Sequence, residues 1–323
     1  MPEKKIHKYL IVLFLICTGS VSAFGQDEEI EIFKEIREFR TLGDHYFTPN
    51  NTIRDPFILT HVRMSLGVGG INDIRFPLVE IGGEKFLYLQ GNIFAALLSF
   101  EYQHSVKDWL AVYLRFGLIG RLGSDFGTLV VQGINYSTAF DIGWMIQVYR
   151  KDKFALSTSI GVSNGNYSII SLQNFVDDII LGVPNPRLIT RNNVLFGMLG
   201  LKAAYGFTKF FGLNGVVDIG YGETIQRELQ NKFFSVVGIN ADMDFSDIFK
   251  TPLSILLGYL HTTYPQNNND VIFDGNVLFT QINYIGRTNF ILSLDLSVSR
   301  ELAGQNNETL WLNTAEFSMR YLF

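Results

Sequence analysis

From about residue 57 to the C-terminus, apolar side chains recur at every second position rather than every third or fourth. That is the period of an extended strand, not of a helix. Leu110, Val112, Leu114, Phe116, Leu118 and Leu122 fall on one face of such a strand, and Ala111, Tyr113, Arg115, Gly117, Ile119 and Arg121 on the other. The stretches from Phe154 to Val162 and from Phe290 to Val298 divide in the same way. Twelve stretches of this kind can be traced, over 57–70, 86–104, 109–122, 134–150, 153–164, 193–206, 210–223, 231–245, 251–264, 276–286, 289–300 and 310–323. They outrun the roughly 5–6 residues of an ordinary strand and reach the ~9–11 that a tilted strand needs to cross a bilayer.

Longer polar connections near 71–85, 123–133, 165–192, 224–230, 265–275 and 301–309 alternate with tight turns at 105–108, 151–152, 207–209, 246–250 and 287–288. Long loops at one end and short turns at the other, around an even number of strands, predict a closed antiparallel transmembrane β-barrel of about twelve strands, an all-β fold. Both chain ends then lie on the short-turn, periplasmic side. Closure follows because an open edge in lipid leaves backbone groups unpaired.

The charges test this pattern. Assigning each strand's more apolar face to the outside leaves Arg63, Glu101, Arg115, Arg121, Asp141, Lys202, Asp218, Asp242, Asp244, Asp295, Glu316 and Arg320 inside, and almost none outside, with Arg150 at a strand end as the exception. A charge facing lipid at mid-bilayer costs about 2–4 kcal/mol, whereas a water-soluble sandwich puts its charges on the outer face. The inward set is expected to line the lumen, either as opposite charges that pair or as a polar path that sets selectivity. Asp218, Asp242 and Asp244 fall on consecutive strands, a cluster that would prefer cations if register brought them level. Outward aromatics gather at strand ends, Tyr102, Tyr205 and Tyr284 on one side and Tyr221, Phe233, Tyr259 and Trp311 on the other, as interface girdles do. The inward glycines, among them Gly117, Gly143, Gly161, Gly220 and Gly258, either leave room in the lumen or mark strand curvature.

Composition sharpens the picture. The 323 residues are 47% hydrophobic, 14% aromatic and 18% charged, which excludes disorder. The one long apolar run, Tyr9–Cys17, follows Lys4, Lys5 and Lys8 and precedes small residues up to Gly25. This is the pattern of a secretory signal, assigned to residues 1–25. Its removal takes the formal charge from −5 to −7 and removes the only cysteine, Cys17. A disulfide scaffold and a basic nucleic-acid binder are thereby excluded. Residues 26–56 are read as a periplasmic N-terminal segment in which Ile30, Phe33, Ile36 and Phe39 give an approximate helical stripe, serving as a plug or a tether; the barrel takes 57–323.

In the longest loop, Leu172, Phe175, Val176 and Ile179 share one face of a short helix, and Gly182 suits its stop. Such a face is expected to form a constriction or lid at the mouth, or to pack on neighbouring loops. The leading functional expectation is passage or uptake of small hydrophobic or aromatic solutes through the lumen; the alternatives are a non-transporting structural or surface-interaction barrel with a plugged lumen and an outer-membrane phospholipase. The enzyme would need a nucleophile, a base and an orienting group at one depth on the outer face. His45 lies before the barrel, His61 points inward and His104 sits at a turn, while His261 lies near the outer end of its strand beside Thr262 and Thr263 without a serine motif. No catalytic residue is therefore assigned, and no cofactor or metal-ligand spacing appears.

The chain ends Phe317-Ser-Met-Arg-Tyr-Leu-Phe323. A terminal Phe323 with Tyr321, Met319 and Phe317 at alternate positions resembles the C-terminal signal read by the barrel assembly machinery of the outer membrane. The chain also resembles the family of small barrels labelled as transporters of the MetA phenol-degradation pathway, through Asp55-Pro-Phe-Ile-Leu-Thr-His-Val-Arg-Met-Ser-Leu-Gly67 and Val106-Lys-Asp-Trp-Leu-Ala-Val112. That resemblance implies an outer-membrane location, lipid contact and passage of small organic molecules.

Overall fold

The computed structural model describes residues 37–81, 84–122, 133–170, 172–223, 231–263, 275–287, 289–303 and 308–323. The signal stretch, most of the 28–40 helical stripe and several loop tips lie outside them. A two-residue hairpin comes first, β1 (Thr41–Leu42) and β2 (His45–Tyr46). Gly43 and Asp44 between them both have positive φ, 56° and 68°, the backbone of a type I′ turn, which Gly and Asp tolerate best.

Twelve strands follow: β3 (His61–Ile81), β4 (Glu84–Lys107), β5 (Leu110–Leu122), β6 (Gly133–Lys151), β7 (Phe154–Ile170), β8 (Ile189–Gly206), β9 (Phe211–Gly222), β10 (Lys232–Asp244), β11 (Leu253–Thr263), β12 (Gly275–Tyr284), β13 (Phe290–Ala303) and β14 (Glu308–Leu322). Each pairs antiparallel with its sequence neighbours, and β14 returns to β3, Leu322 opposite His61, closing the ring. The expected fold class is what is observed. Two short helices interrupt it, α1 (Leu172–Ile180) and α2 (Ser246–Phe249). Gly182 at φ 68° ends α1, with its N–H on Ile179 and that of Val183 on Asp178. This is a Schellman cap, which glycine favours because it has no Cβ to clash.

Alternation places Met64, Leu66, Val68, Ile142, Ile160, Leu199, Ile219, Ile239 and Leu278 outward, each about 40–65% exposed. Their opposite-parity neighbours, such as Arg63, Ser65, Ser159, Asn240 and Asp242, are buried inside. An apolar outer surface this extensive is stable only against lipid.

Three sequence expectations change. Strand β3 begins at His61, not at residue 57, because Phe57 and Leu59 turn into the lumen and give their carbonyls to the Gln103 side chain at 3.1 and 3.0 Å. The expected loop at 71–85 is largely strand: β3 and β4 continue as a hairpin with Ile81 opposite Glu84. Among the described residues, neither strand has its other barrel neighbour beyond Ile71 and Phe94, so Pro77 lies in an edge stretch of β3, where strands tolerate proline. Finally, a bulge between Gln147 and Tyr149 reverses the parity of β6 and sets Arg150 opposite the inward Ala155. The single outward charge of the sequence reading therefore turns in. Arg191 and Arg300 are exposed instead, at the long-loop ends of β8 and β13 on the outward rows of Leu195 and Leu199 and of Leu296 and Val298.

Candidate functional site: a stoppered lumen

Residues 40–60 run inside the barrel, across its short-turn half, with 37–39 at the rim. Their apolar side chains meet the wall in four places around the circumference. Leu42, Phe47 and Phe57 pack on Ala155 and Ala204. Ile58 packs on Ala111, Tyr113 and Met145, Ile53 on Val216 and Phe279, and Leu59 on Ile291 and Leu322. The segment thus touches strands on all sides of the lumen.

Between these contacts the join is polar. Arg40 ties the segment to itself through Asp55 at 2.5 Å and the Phe47 carbonyl at 2.8 Å. Asn50 accepts from the backbone N–H groups of Thr52 and Ile53, shaping a local turn. The wall then takes up groups that a free segment would offer to water. Thr48 N–H donates to Asp242 at 2.7 Å and its hydroxyl to Ser254 at 2.7 Å. Asn51 donates to Asp295 and Ser318, both at 2.7 Å. Arg320 and Arg63 donate to the Asn50 and Asn51 carbonyls, Gln281 to that of Pro49 and Ser157 to that of Pro56. Arg150 holds the carbonyls of Phe39 and Glu38 at the barrel rim, and the Arg54 guanidinium lies 3.5 Å from the centre of the Tyr113 ring. His45 is completely buried; its Nδ1 lies 3.0 Å from the Lys209 carbonyl, so it carries the proton. Burial holds the imidazole below its ordinary pKa of 6.5.

The inward charges named from sequence all sit on inward rows. Glu101 receives Arg63 at 3.1 Å, Arg115 at 3.1 Å and His61 at 3.0 Å. Lys202 meets Asp218 at 2.6 Å, Asp141 accepts from Ser163 and Glu316 accepts from Ser65. Arg121 also has a partner. Most of these groups are paired or bonded to the inner segment, so they fix structure before they offer a path. Asp218, Asp242 and Asp244 do not cluster. Asp218 stands opposite Val236 while Asp242 stands opposite Gly212, six positions further down β9. Asp242 is used by Thr48, Asp244 accepts from the Ser246 N–H, and no set of metal-ligating side chains exists among the described residues.

The inward glycines do not all leave room. A Cβ at Gly143 or Gly161 would strike the Tyr113 hydroxyl, one at Gly220 the ring of Phe234, and one at Gly258 the ring of Phe279. Large rings lie flat across the neighbouring strand there, and only glycine admits them. Gly117, higher in the lumen, would meet nothing within 4 Å. Ser99 and Ala139 stand opposite it on the two neighbouring strands, and Leu97 and Ile119 form the next inward pair toward the long-loop end.

Helix α1 lies beside β3 at the long-loop end. Phe175 and Val176 are half-buried and Ile179 is 53% exposed; the side chain of Leu172 lies outside the described residues. At the other end of the chain Phe317, Met319 and Phe323 are exposed on the outer face, and the Tyr321 hydroxyl receives Asn289 at 3.1 Å.

One arrangement was not legible from spacing. His261, Thr263 and Asn276 come together on the outward face at the long-loop rim of β11 and β12. The signal was present as a His-x-Thr pair on one strand, but its third member is brought opposite only by the register, His261 against Asn276.

The closed ring, apolar exterior and filled short-turn half define a transmembrane β-barrel with an internal stopper. No protein-family profile and no curated protein matches the chain. Among solved structures it is similar to an outer-membrane channel of the group COG4313 from Pseudomonas putida F1, at 12% identity, covering 86% of this chain and 100% of that one, with a TM-score of 0.49. It is also similar to the translocator domain of the autotransporter NalP from Neisseria meningitidis, at 8% identity, covering 94% and 100%, TM-score 0.49. The P. putida toluene transporter TodX aligns at 9% identity over 86% and 95%, TM-score 0.42. At these scores the likeness assigns neither solute nor mechanism.

Proposed function

We propose that this chain is an outer-membrane protein that passes small, weakly polar solutes through its lumen, with residues 40–60 as the stopper that must yield. The carrying observation is the way the stopper is held. Its backbone and side-chain polar groups are bound by Asp242, Asp295, Gln281, Arg320 and Ser157, all of which water can serve equally when the segment leaves. A stopper fused to the wall only by apolar packing would have no such alternative. Weakly polar solutes fit the half-buried apolar residues Phe175 and Val176 of α1 at the long-loop end, read here as a lid or constriction. The resemblance to the phenol-degradation barrels makes a simple aromatic such as phenol the first solute to test.

Assembly follows the same reading: export through residues 1–25, then recognition of the last strand through Phe317, Met319, Tyr321 and Phe323 by the assembly machinery. Full burial of Arg40, Phe47 and Phe57 favours the second reading, a permanently plugged barrel. Liposome swelling separates them. The wild type and a variant lacking residues 26–60 should both admit phenol, the variant faster and with added permeability to sugars. A wild type that admits nothing, beside a freely permeable variant, would establish the plugged barrel instead.

A further inference from the structure

We infer that the outer face of this barrel carries an ester-cleaving site, with Thr263 as nucleophile, His261 as base and Asn276 as the group that orients the base. This is independent of any passage through the lumen. The three residues form one hydrogen-bonded chain. The Thr263 hydroxyl lies 2.9 Å from His261 Nε2, and His261 Nδ1 lies 2.9 Å from Asn276 Oδ1. The Tyr259 hydroxyl donates to the same Oδ1 at 2.5 Å. That oxygen only accepts, so Nδ1 holds the imidazole proton and the Nε2 lone pair is left facing the threonine hydroxyl. The tautomer needed for a general base is thereby fixed, which is the role of the third member in any nucleophile–base–orienter set.

The place suits a lipid ester. Tyr259, His261 and Thr263 share one parity of β11, the outward row that includes Leu257, and Asn276 shares its row with the 64% exposed Leu278. His261 is two residues beyond Tyr259, one of the outward aromatics that mark the interface, at the level where acyl chains join their headgroups. Arg300 stands in register with Asn276 on the next strand and is exposed, a cation for a phosphate headgroup. A cavity of about 520 Å³ in the β11–β14 wall is lined on the inward rows by Gly258, Phe279, Ser297 and Thr314 and on the outward rows by Leu257, Leu278, Leu296 and Val298. The outward four lie two to four residues toward mid-bilayer from His261, Asn276 and Arg300, where an acyl chain would run. The substrate class is therefore a membrane lipid carrying an acyl ester and a phosphate.

In the reaction, the Thr263 oxygen forms a bond to the ester carbonyl carbon while its proton passes to His261 Nε2. The carbon–oxygen bond to the alcohol then breaks, and the departing oxygen takes that proton. Water repeats the sequence on the acyl-threonine: His261 accepts one water proton, the new oxygen–carbon bond forms, and Thr263 leaves with the proton returned. A fatty acid and a lyso-lipid alcohol are the products, and threonine and imidazole are regenerated.

The full folded barrel in detergent micelles, its folding checked by heat-modifiable gel mobility, should release p-nitrophenol from a medium-chain acyl ester and free fatty acid from phosphatidylglycerol. Thr263→Ala and His261→Ala, equally folded, should lose about 100-fold or more. Thr263→Ser should keep or raise the rate, because a primary alcohol is the less hindered nucleophile, and a fluorophosphonate should label residue 263 in the wild type. A folded wild type that cleaves neither ester, or one whose rate is unchanged in Thr263→Ala, overturns the assignment. Hydrogen bonds that merely satisfy one another at the rim would give that second result, with no labelling.

Discussion

The two halves of the lumen are built from the same strands and do opposite things. In the short-turn half, inward positions carry the buried Arg63, Gln103, Lys202, Asn240, Asp242, Gln281 and Arg320, and five of them, Arg63, Gln103, Asp242, Gln281 and Arg320, bond to residues 48–59. In the long-loop half the same rows mix small residues, Gly67, Ser99, Gly117, Ala139, Ser297 and Thr314, with the larger Leu97, Ile119, Phe196 and Phe234, and residues 37–60 make their hydrogen bonds lower in the barrel. A barrel of about twelve strands lies between those that fill with their own side chains and those that hold open water. Here the two outcomes are divided along one axis. A separate stretch of chain, residues 40–60, fills the short-turn half and is held there by polar inward residues.

The sharpest way to break this division is to remove the lock within the stopper. Arg40→Ala leaves Asp55 buried without its cation, a loss of about 3–5 kcal/mol in docking of the segment. Proteolysis between residues 40 and 60 in the refolded barrel should become fast while the strands stay protected; unchanged resistance would mean that the segment is held elsewhere.

A smaller effect separates filled from open glycine positions. Gly161→Ala sets a Cβ against the Tyr113 hydroxyl and should cost about 1–3 kcal/mol in urea unfolding followed by tryptophan fluorescence. Gly117→Ala, with nothing within 4 Å, should be near neutral. Equal costs at both sites would show that strand propensity, not the ring contact, sets the requirement.

The smallest expected effect is on pH. Burial lowers the His45 pKa below 6.5, so the unfolded or undocked segment binds the proton more readily than the docked one. Docking is therefore strongest above about pH 6.5 and weakens as pH falls below it. Channel activity should rise on acidification toward pH 5 in the wild type, and this rise should shrink in His45→Gln. An acid-independent wild type would contradict it.

Much of the barrel was legible because lipid imposes a simple rule on every strand. Alternation located all twelve, and charge exclusion oriented them. The errors came where that rule lapses. Arg150 was assigned outward because a bulge, one extra residue, reverses parity without marking the sequence. The 71–85 stretch read as a loop because strand pairing above the membrane needs no apolar face. The charges read as inward lie on the inward rows, and which partners they meet depends on register. Asp218 and Asp242 are neighbours by strand and distant in height, whereas Lys202 and Asp218 meet although 16 residues apart. The contacts of residues 40–60 were illegible for another reason. Thr48, Asn50 and Asn51 look like loop residues until the wall supplies Asp242, Arg320 and Asp295.

The most direct test locks the stopper in place. Thr48 and Ser254 hydroxyls lie 2.7 Å apart, and the only native cysteine is Cys17 in the signal stretch, so Thr48→Cys with Ser254→Cys gives a single reversible cross-link. Single-channel recording in planar bilayers should find the oxidised protein silent and the reduced protein conducting. Equal conductance in the oxidised and reduced states would contradict the claim that residues 40–60 gate the lumen.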